Sequence, residues 1–274
     1  MSKKKALICA AGGLIGAIGL GAYLIAPAKQ DKEMKEPFMN RNYAHRGLHK
    51  INKSIPENSL PAFTAAARIG YGVELDVRLS ADGEVIVFHD NTLERMCGVD
   101  AKVEDMTWEE LRKLKLLDTE YGIPSLKEAL KAMGKHAPVI VELKRGSKNR
   151  ELCRKTLEII EASGSTCCIE SFDPRIVMWF RLHAPHMLRG QLSTTPKNLL
   201  EDTKKVQAFV LGNLLTNVLA RPHFIAYEII KKPFLVRACE AMGAMKVAWT
   251  ALDWTNEENN DAVIFQFYRP RVKF

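Results

Sequence analysis

The chain has 274 residues, 47% of them apolar, and a formal charge of +8. That size suits one large domain or two small ones, with enough apolar content for a full core, and a single α/β barrel falls inside the range. The charge fits phosphate substrates or anionic headgroups. With no basic helix, aromatic-basic repeat or zinc-finger spacing beside it, it argues against nucleic acid as a partner.

At the N-terminus, Met1-Ser2-Lys3-Lys4-Lys5 precedes an uncharged run from Ala6 to Ala28. At ~1.5 Å per residue this run can cross a hydrocarbon core of ~30 Å. Residues 1–28 are therefore expected to form one transmembrane helix and to place the protein at a membrane as a single-pass N-terminal anchor. A cleaved signal peptide is the rival reading, because Ala26-Pro27-Ala28 has the small-x-small form of a cleavage site. The apolar stretch exceeds the usual ~7–15 residues of such a signal. Lys3, Lys4 and Lys5 are balanced by Lys29, Lys32 and Lys35 beyond the span, so the side of the membrane stays open. Residues 29–40 read as a charged linker and 41–274 as the catalytic domain.

From residue 41 onward, β-rich runs alternate with amphipathic helical stretches, the pattern of a parallel sheet with crossover helices. Expected strands are Asn42–His45, Val73–Leu79, Pro138–Lys144, Thr166–Phe172, Leu188–Leu192, Phe224–Tyr227, Lys246–Thr250 and Ala262–Phe265. A further strand, Glu84–His89, follows the Asp82-Gly83 turn and should form a hairpin with the second. Helices are expected at Leu60–Ile69, Leu126–Met133, Arg150–Ser163, Arg175–His183, Lys197–Phe209 and Phe234–Met242. Eight strands with intervening helices favour a (β/α)8 TIM barrel over an open sheet. No Gly-x-Gly-x-x-Gly follows the first strand, which argues against a dinucleotide fold. Residues 91–123, with a helical piece around Trp108–Leu116, read as a small insertion after the second strand and over one mouth of the barrel. The eleven residues from Ala251 to Asp261 are short for a crossover, which normally takes about a dozen or more. The last strand is thus expected to be strained or poorly docked.

Of the six cysteines, no pair has CxxC spacing, and all read as buried thiols. Cys167 and Cys168 are adjacent in a strand and should face opposite ways. Ionisable residues gather instead at the carboxyl ends of the strands, where β/α barrels place their active sites. His45 and Arg46 close the first strand. Glu74 and Asp76 share one face of the second, and Glu142 and Lys144 repeat that spacing on the third. His89 and Asp90 end the hairpin strand. Three carboxylates in a barrel interior cannot all stay ionised and unpaired. A divalent cation resolves the conflict, and oxygen ligands favour Mg²⁺ or Ca²⁺ over zinc. The alternative is neutralisation by Arg46 and Lys144 with no metal. Both cations suit a phosphate, and His45 with His89 suits an acid–base pair. His49, His136, His183, His186 and His223 lack such company and are expected at the surface or as caps.

His45-Arg46-Gly47, Pro56-Glu57-Asn58, Ala62-Phe63, Glu74-x-Asp76, Asp82-Gly83, His89-Asp90, Glu142-x-Lys144, Ser171-Phe172 and Trp249-Thr250 occur in that order. The set resembles the glycerophosphodiester phosphodiesterase family, within the phosphatidylinositol phospholipase C-like barrels, over Tyr43 to Pro270. The resemblance implies Glu74, Asp76 and Glu142 as metal ligands, His45 and His89 as catalytic acid and base, and Arg46 and Lys144 as phosphate holders. It implies that Glu57 and Asn58 reach the site from the loop after strand one, Glu57 to position His45 or the metal. Trp249 would wall the glycerol or alcohol. The implied reaction is metal-dependent hydrolysis of a glycerophosphodiester to glycerol 3-phosphate and an alcohol, attacked by water or by the substrate's own hydroxyl. Two rivals are a lysophospholipase D acting on membrane lysophospholipids and a non-catalytic membrane-bound scaffold. An apolar outer surface around Met106 and Trp108 would favour the lipid substrate. Oligomeric state is not legible.

Overall fold

The computed structural model describes residues 16, 19–29, 32–135, 137–200 and 203–274. Nine strands form one sheet: β1 (Arg41–Ala44), β2 (Gly72–Leu79), β3 (Val85–Val87), β4 (Val139–Leu143), β5 (Cys167–Ser171), β6 (Arg189–Ser193), β7 (Phe224–Glu228), β8 (Met245–Ala251) and β9 (Ala262–Phe265). Eight are parallel, and β1 pairs with both β9 and β2, closing the barrel. The ninth, β3, runs antiparallel to β2, with Val77 opposite Val87, as the Asp82-Gly83 turn leads one to expect. Strand bounds match the sequence expectations to within one or two residues.

Side chains alternate between two packing environments. Tyr43, Ile140, Cys168, Phe224, Ala226, Val247, Ala262 and Ile264 fill the barrel interior. Val73, Leu75, Val141, Ile169 and Val263 face the outer helices. Cys168 lies inside and Cys167 against the outer layer, on opposite faces as alternation requires. Two interior glycines make room for aromatic rings. A Cβ on Gly72 would stand 2.3 Å from the Tyr43 ring, and one on Gly190 would stand 2.0 Å from Phe224. Phe38 plugs the floor beneath them, its carbonyl accepting from Tyr43 Oη at 3.0 Å.

Three expectations need correction. The last strand is not loosely docked: Ala262–Phe265 is wholly buried and paired on both edges. Its crossover is a 3₁₀ helix, Trp254–Asn259, which rises ~2.0 Å per residue against ~1.5 Å for an α-helix, so few residues cover the span. The helix expected at Lys197–Phe209 is two pieces, Pro196–Leu199 and Lys205–Gly212, with a further turn at Asn217–Ala220. His223 is buried rather than exposed, its Nδ1 accepting the Arg189 N–H at 3.2 Å. His136 lies outside the described residues.

Most of the expected membrane span also lies outside the described residues. Among those described, no helix is long and apolar enough to cross a membrane. A helix over 19–25 leads into the barrel floor. There Ile25 packs among Leu214, Ile225, Tyr227, Val236 and Cys239. Its carbonyl accepts from Asn217 at 3.1 Å, Arg221 donates to Tyr23 and Ala26 carbonyls at 2.8 Å, and Ala28 N–H reaches Pro222 O at 2.9 Å.

The insertion has its own small core of Ile86, Phe88, Leu93, Met96, Val103, Leu111, Leu116 and Ile123, against which Met106 and Trp108 pack. None of its large apolar side chains is exposed, so it lacks the apolar outer surface expected of a lipid-directed lobe.

Candidate active site

The inward rows of β2 and β4 end in carboxylates because strand side chains alternate. Glu74, Asp76 and Glu142 are all buried, and each offers an oxygen within 4.8 Å of the others. Burial, then Asp76 and Glu142, raise the Glu74 carboxyl well above its ordinary range. Burial also opposes ionisation of Asp76, yet Lys144, His89 and Arg46 hold it well below that range. Burial raises Glu142 despite Lys144. Lys144 Nζ bridges Asp76 at 2.8 Å and Glu142 at 2.7 Å, and Arg46 Nε lies 3.3 Å from Asp76. Neither cationic side chain pairs with Glu74 among the described residues. It receives the Arg46 backbone N–H at 3.0 Å, with His45 Nε2 at 3.9 Å. Neutralisation by Arg46 and Lys144 is therefore incomplete, and an all-oxygen triad with an unbalanced charge fits a divalent cation.

Arg46 and Asn58 both adopt φ of 53°. An arginine in the left-handed region is costly and is held there by its surroundings. The turn aims its N–H at Glu74 while the guanidinium reaches Asp76 and Glu57. Asn58 tolerates the conformation better and donates to Asp76 Oδ2 at 2.7 Å. Glu57 touches neither His45 nor the triad: it takes Arg46 at 2.7 Å and Arg95 at 2.7 Å. Despite burial, those arginines lower its pKa to about 2. Its side chain stands against Arg46, which in turn reaches Asp76 and Glu74.

The two histidines have different partners. His45 Nδ1 lies 2.6 Å from Gln266 Oε1, and burial followed by Arg46 lowers its pKa to about 3. His89 Nδ1 lies 2.6 Å from Asp90 Oδ1. The Asp90 carboxyl is held below its ordinary range, against burial, by His89 and Arg95. Arg78 donates to the His89 carbonyl at 2.9 and 2.7 Å.

On the far side of the mouth, Trp249 meets Phe172 edge to face at 5.7 Å and donates to the Ser193 and Ala226 carbonyls. Glu228, next to Trp249 in register, accepts from Thr194 and from Asn198 at 2.8 Å. Below lies Glu170, 1% exposed, its carboxyl raised well above range by burial and then by Glu74 and Glu142. Gln266, Arg95, Glu170 and Glu228 were missed from sequence. Alternation alone places Glu170, Glu228 and Gln266 on the inward rows of Cys168, Ala226 and Ile264.

The profile described as the Glycerophosphoryl diester phosphodiesterase family matches residues 45–267. A glycerophosphodiester phosphodiesterase of Caldanaerobacter subterraneus subsp. tengcongensis is 38% identical over 219 residues, 76% of this chain and 84% of that protein. A lysophospholipase D of Rattus norvegicus is 32% identical over 162 residues, about half of each chain. Among solved structures, a glycerophosphodiester phosphodiesterase from Parabacteroides distasonis superposes with a TM-score of 0.63 at 25% identity, covering 83% of this chain and 93% of that one. An Oleispira antarctica phosphodiesterase in complex with the product sn-glycerol-3-phosphate, at TM-score 0.67 and 21% identity over 83% and 93% of the two chains, shares the fold.

Proposed function

We propose a catalytic route from one premise: the chain belongs to the glycerophosphoryl diester phosphodiesterase family, and its reaction is hydrolysis of a glycerophosphodiester to glycerol 3-phosphate and an alcohol. The unequal histidine partners carry the assignment of roles. A neutral amide on Nδ1 leaves the His45 Nε2 lone pair free and does little to stabilise an imidazolium, so His45 is the general base. The Asp90 carboxylate on Nδ1 orients the His89 ring, and His89 is assigned as the general acid that protonates the leaving alkoxide from Nε2. Arg46 grips two phosphoryl oxygens, Lys144 supplies a point charge, and Asn58 fixes Asp76. Trp249 and Phe172 wall the glycerol, whose hydroxyls meet Glu228 and Thr194.

Glu74, Asp76 and Glu142 would hold a divalent ion, Mg²⁺ or Ca²⁺. When bound, it neutralises developing charge on the phosphoryl group and lowers the pKa of a coordinated oxygen. Membrane attachment is proposed for the residues ahead of Gly19, supported by the uncharged run that begins at Ala6; residues 19–28 of that run are taken up by the barrel floor. Alkaline carbonate extraction of membranes tests it, and release into the supernatant overturns it.

The route is tested on the full chain in detergent, since Ile25 packs into the barrel floor. After chelation, release of glycerol 3-phosphate from glycerophosphocholine should return with Mg²⁺ or Ca²⁺. Activity indifferent to chelator sinks the metal assignment. The rat relative supplies a second reading, hydrolysis of lysophospholipids. Turnover of a lysophospholipid above that of its deacylated diester would establish it.

A further inference from the structure

A cavity of about 540 Å³ opens beside Lys144, between the insertion and the loop after β4. Arg78, Lys102, Lys144, Arg145 and Lys148 line it, with Glu104 as the one acid. Glu104 is occupied in joining the two walls, accepting the Ser147 N–H and hydroxyl at 3.0 Å each. Arg78 is spent on the His89 and Arg145 carbonyls, and Lys148 on the Ala81 carbonyl at 3.0 Å. These acceptors are neutral, so Glu104 and the more distant Asp76, Asp90 and Glu142 offset the charge of Arg78 and Lys102 only through space, while among the described residues Lys144 alone of these cations is ion-paired, to Asp76 and Glu142. Among the described residues no carboxylate lies within ion-pair distance of Arg78, Lys102, Arg145 or Lys148.

The position of the cavity gives this charge a purpose. Arg78 holds the carbonyl of His89, Asn91 lies two residues beyond it, and Lys144 is shared with the catalytic triad. The cavity thus adjoins the side on which His89 would protonate the leaving oxygen. A choline or ethanolamine group there would meet like charge, which is repulsive. We propose that this cavity receives the leaving alcohol and that the preferred alcohol carries a phosphate of its own. The substrate class is then a glycerophosphodiester whose second alcohol is a phosphomonoester, bound by Lys102, Arg145 and Lys148. Hydrolysis breaks the phosphorus–oxygen bond to that alcohol, water supplies the new oxygen, and His89 returns the proton. The inference rests on the phosphodiesterase reading and on the role given to His89.

Three diesters of sn-glycerol 3-phosphate separate the outcomes, assayed on the metal-restored full chain. Their leaving alcohols are glycerol 3-phosphate, glycerol and choline. Two or three charge-assisted contacts should favour the phosphate-bearing diester by about 10–100-fold in kcat/KM over glycerophosphoglycerol, and the preference should shrink as salt rises. Lys102→Glu with Arg145→Glu should reduce that ratio at least tenfold and move preference towards glycerophosphocholine. A wild-type enzyme that prefers the choline or unphosphorylated diester overturns the proposal, as does a ratio that survives charge reversal. Hydrolysis of none of the three would instead remove the phosphodiesterase reading beneath it.

Discussion

Across the barrel mouth, β2 and β7 stand opposite each other in the ring of eight parallel strands, above the same apolar interior. The inward row of β2 ends in Glu74 and Asp76, and its neighbours add His45, Arg46, Glu142 and Lys144. The inward row of β7 ends in Glu228 beside Trp249 of β8, with Thr194 at the end of β6 and Phe172 at the end of β5. One half stacks charge on charge, and burial makes every member depend on the others. The other offers ring faces and a few hydroxyl partners. A phosphodiester needs both, since its phosphoryl group changes charge distribution during reaction while its glycerol does not. Substitutions in the first half should therefore fall on kcat, and those in the second on KM.

His89→Ala gives the largest effect expected from this contrast, a fall in kcat of roughly 10²–10⁴-fold. KM should be little changed, and the melting temperature should stay near that of the unaltered chain. An equal loss carried by KM would erase the distinction between the halves. Next comes Asn58→Ala, which unfixes Asp76 without removing a ligand oxygen and should cost roughly 10–100-fold in activity at limiting metal. Metal titration followed by activity checks it, because excess ion should recover part of the loss. On the other side, Trp249→Ala removes the ring contact with Phe172. An aromatic pair is worth about 0.5–1.5 kcal/mol, which bears on stability; removing the wall against the glycerol should raise KM about 2–10-fold at nearly constant kcat. A kcat collapse in that variant would place Trp249 in the chemistry.

The smallest effect lies beneath both halves. Burial, then Arg189 and Lys35, lower the pKa of His223 to about 3. A histidine depressed in the folded state is protonated first in the unfolded one. Its contribution to stability is therefore complete above pH ~6.5 and is lost as pH falls towards 3. His223→Asn keeps a side-chain acceptor without this titration. It should flatten the decline in thermal stability between pH 6.5 and 4 and leave turnover at pH 7.5 alone. An unchanged acid limb would mean that other groups set it.

Sequence pattern exposed the half of the mouth whose residues come in pairs along one strand. Glu74-x-Asp76 and Glu142-x-Lys144 declare themselves through a two-residue period. Partners brought together only by barrel closure gave no local sign. His45 and Gln266 lie 221 residues apart, and Arg95 reaches Glu57 across 38. Glu228 was equally hidden, because a lone acid at a strand end reads as a solvated terminus. In the fold, periodicity misled where apolar residues do not face the core: Val206 and Phe209 are 77% and 56% exposed, so the run they suggested is not one helix. The short crossover misled because residue count was compared with an α-helix, whereas a 3₁₀ helix gains more length from each residue.

The docking of Ile25, Arg221 and Ala28 around the start of β7 fixes the direction from which the chain enters its domain. It arrives at the floor, and the reactive carboxylates stand at the roof, one barrel height away. Any surface that grips the protein through the residues ahead of Gly19 then holds it like a cup by its base, with the opening turned outward. Diesters would be gathered from the surrounding water, and glycerol 3-phosphate would be returned to it.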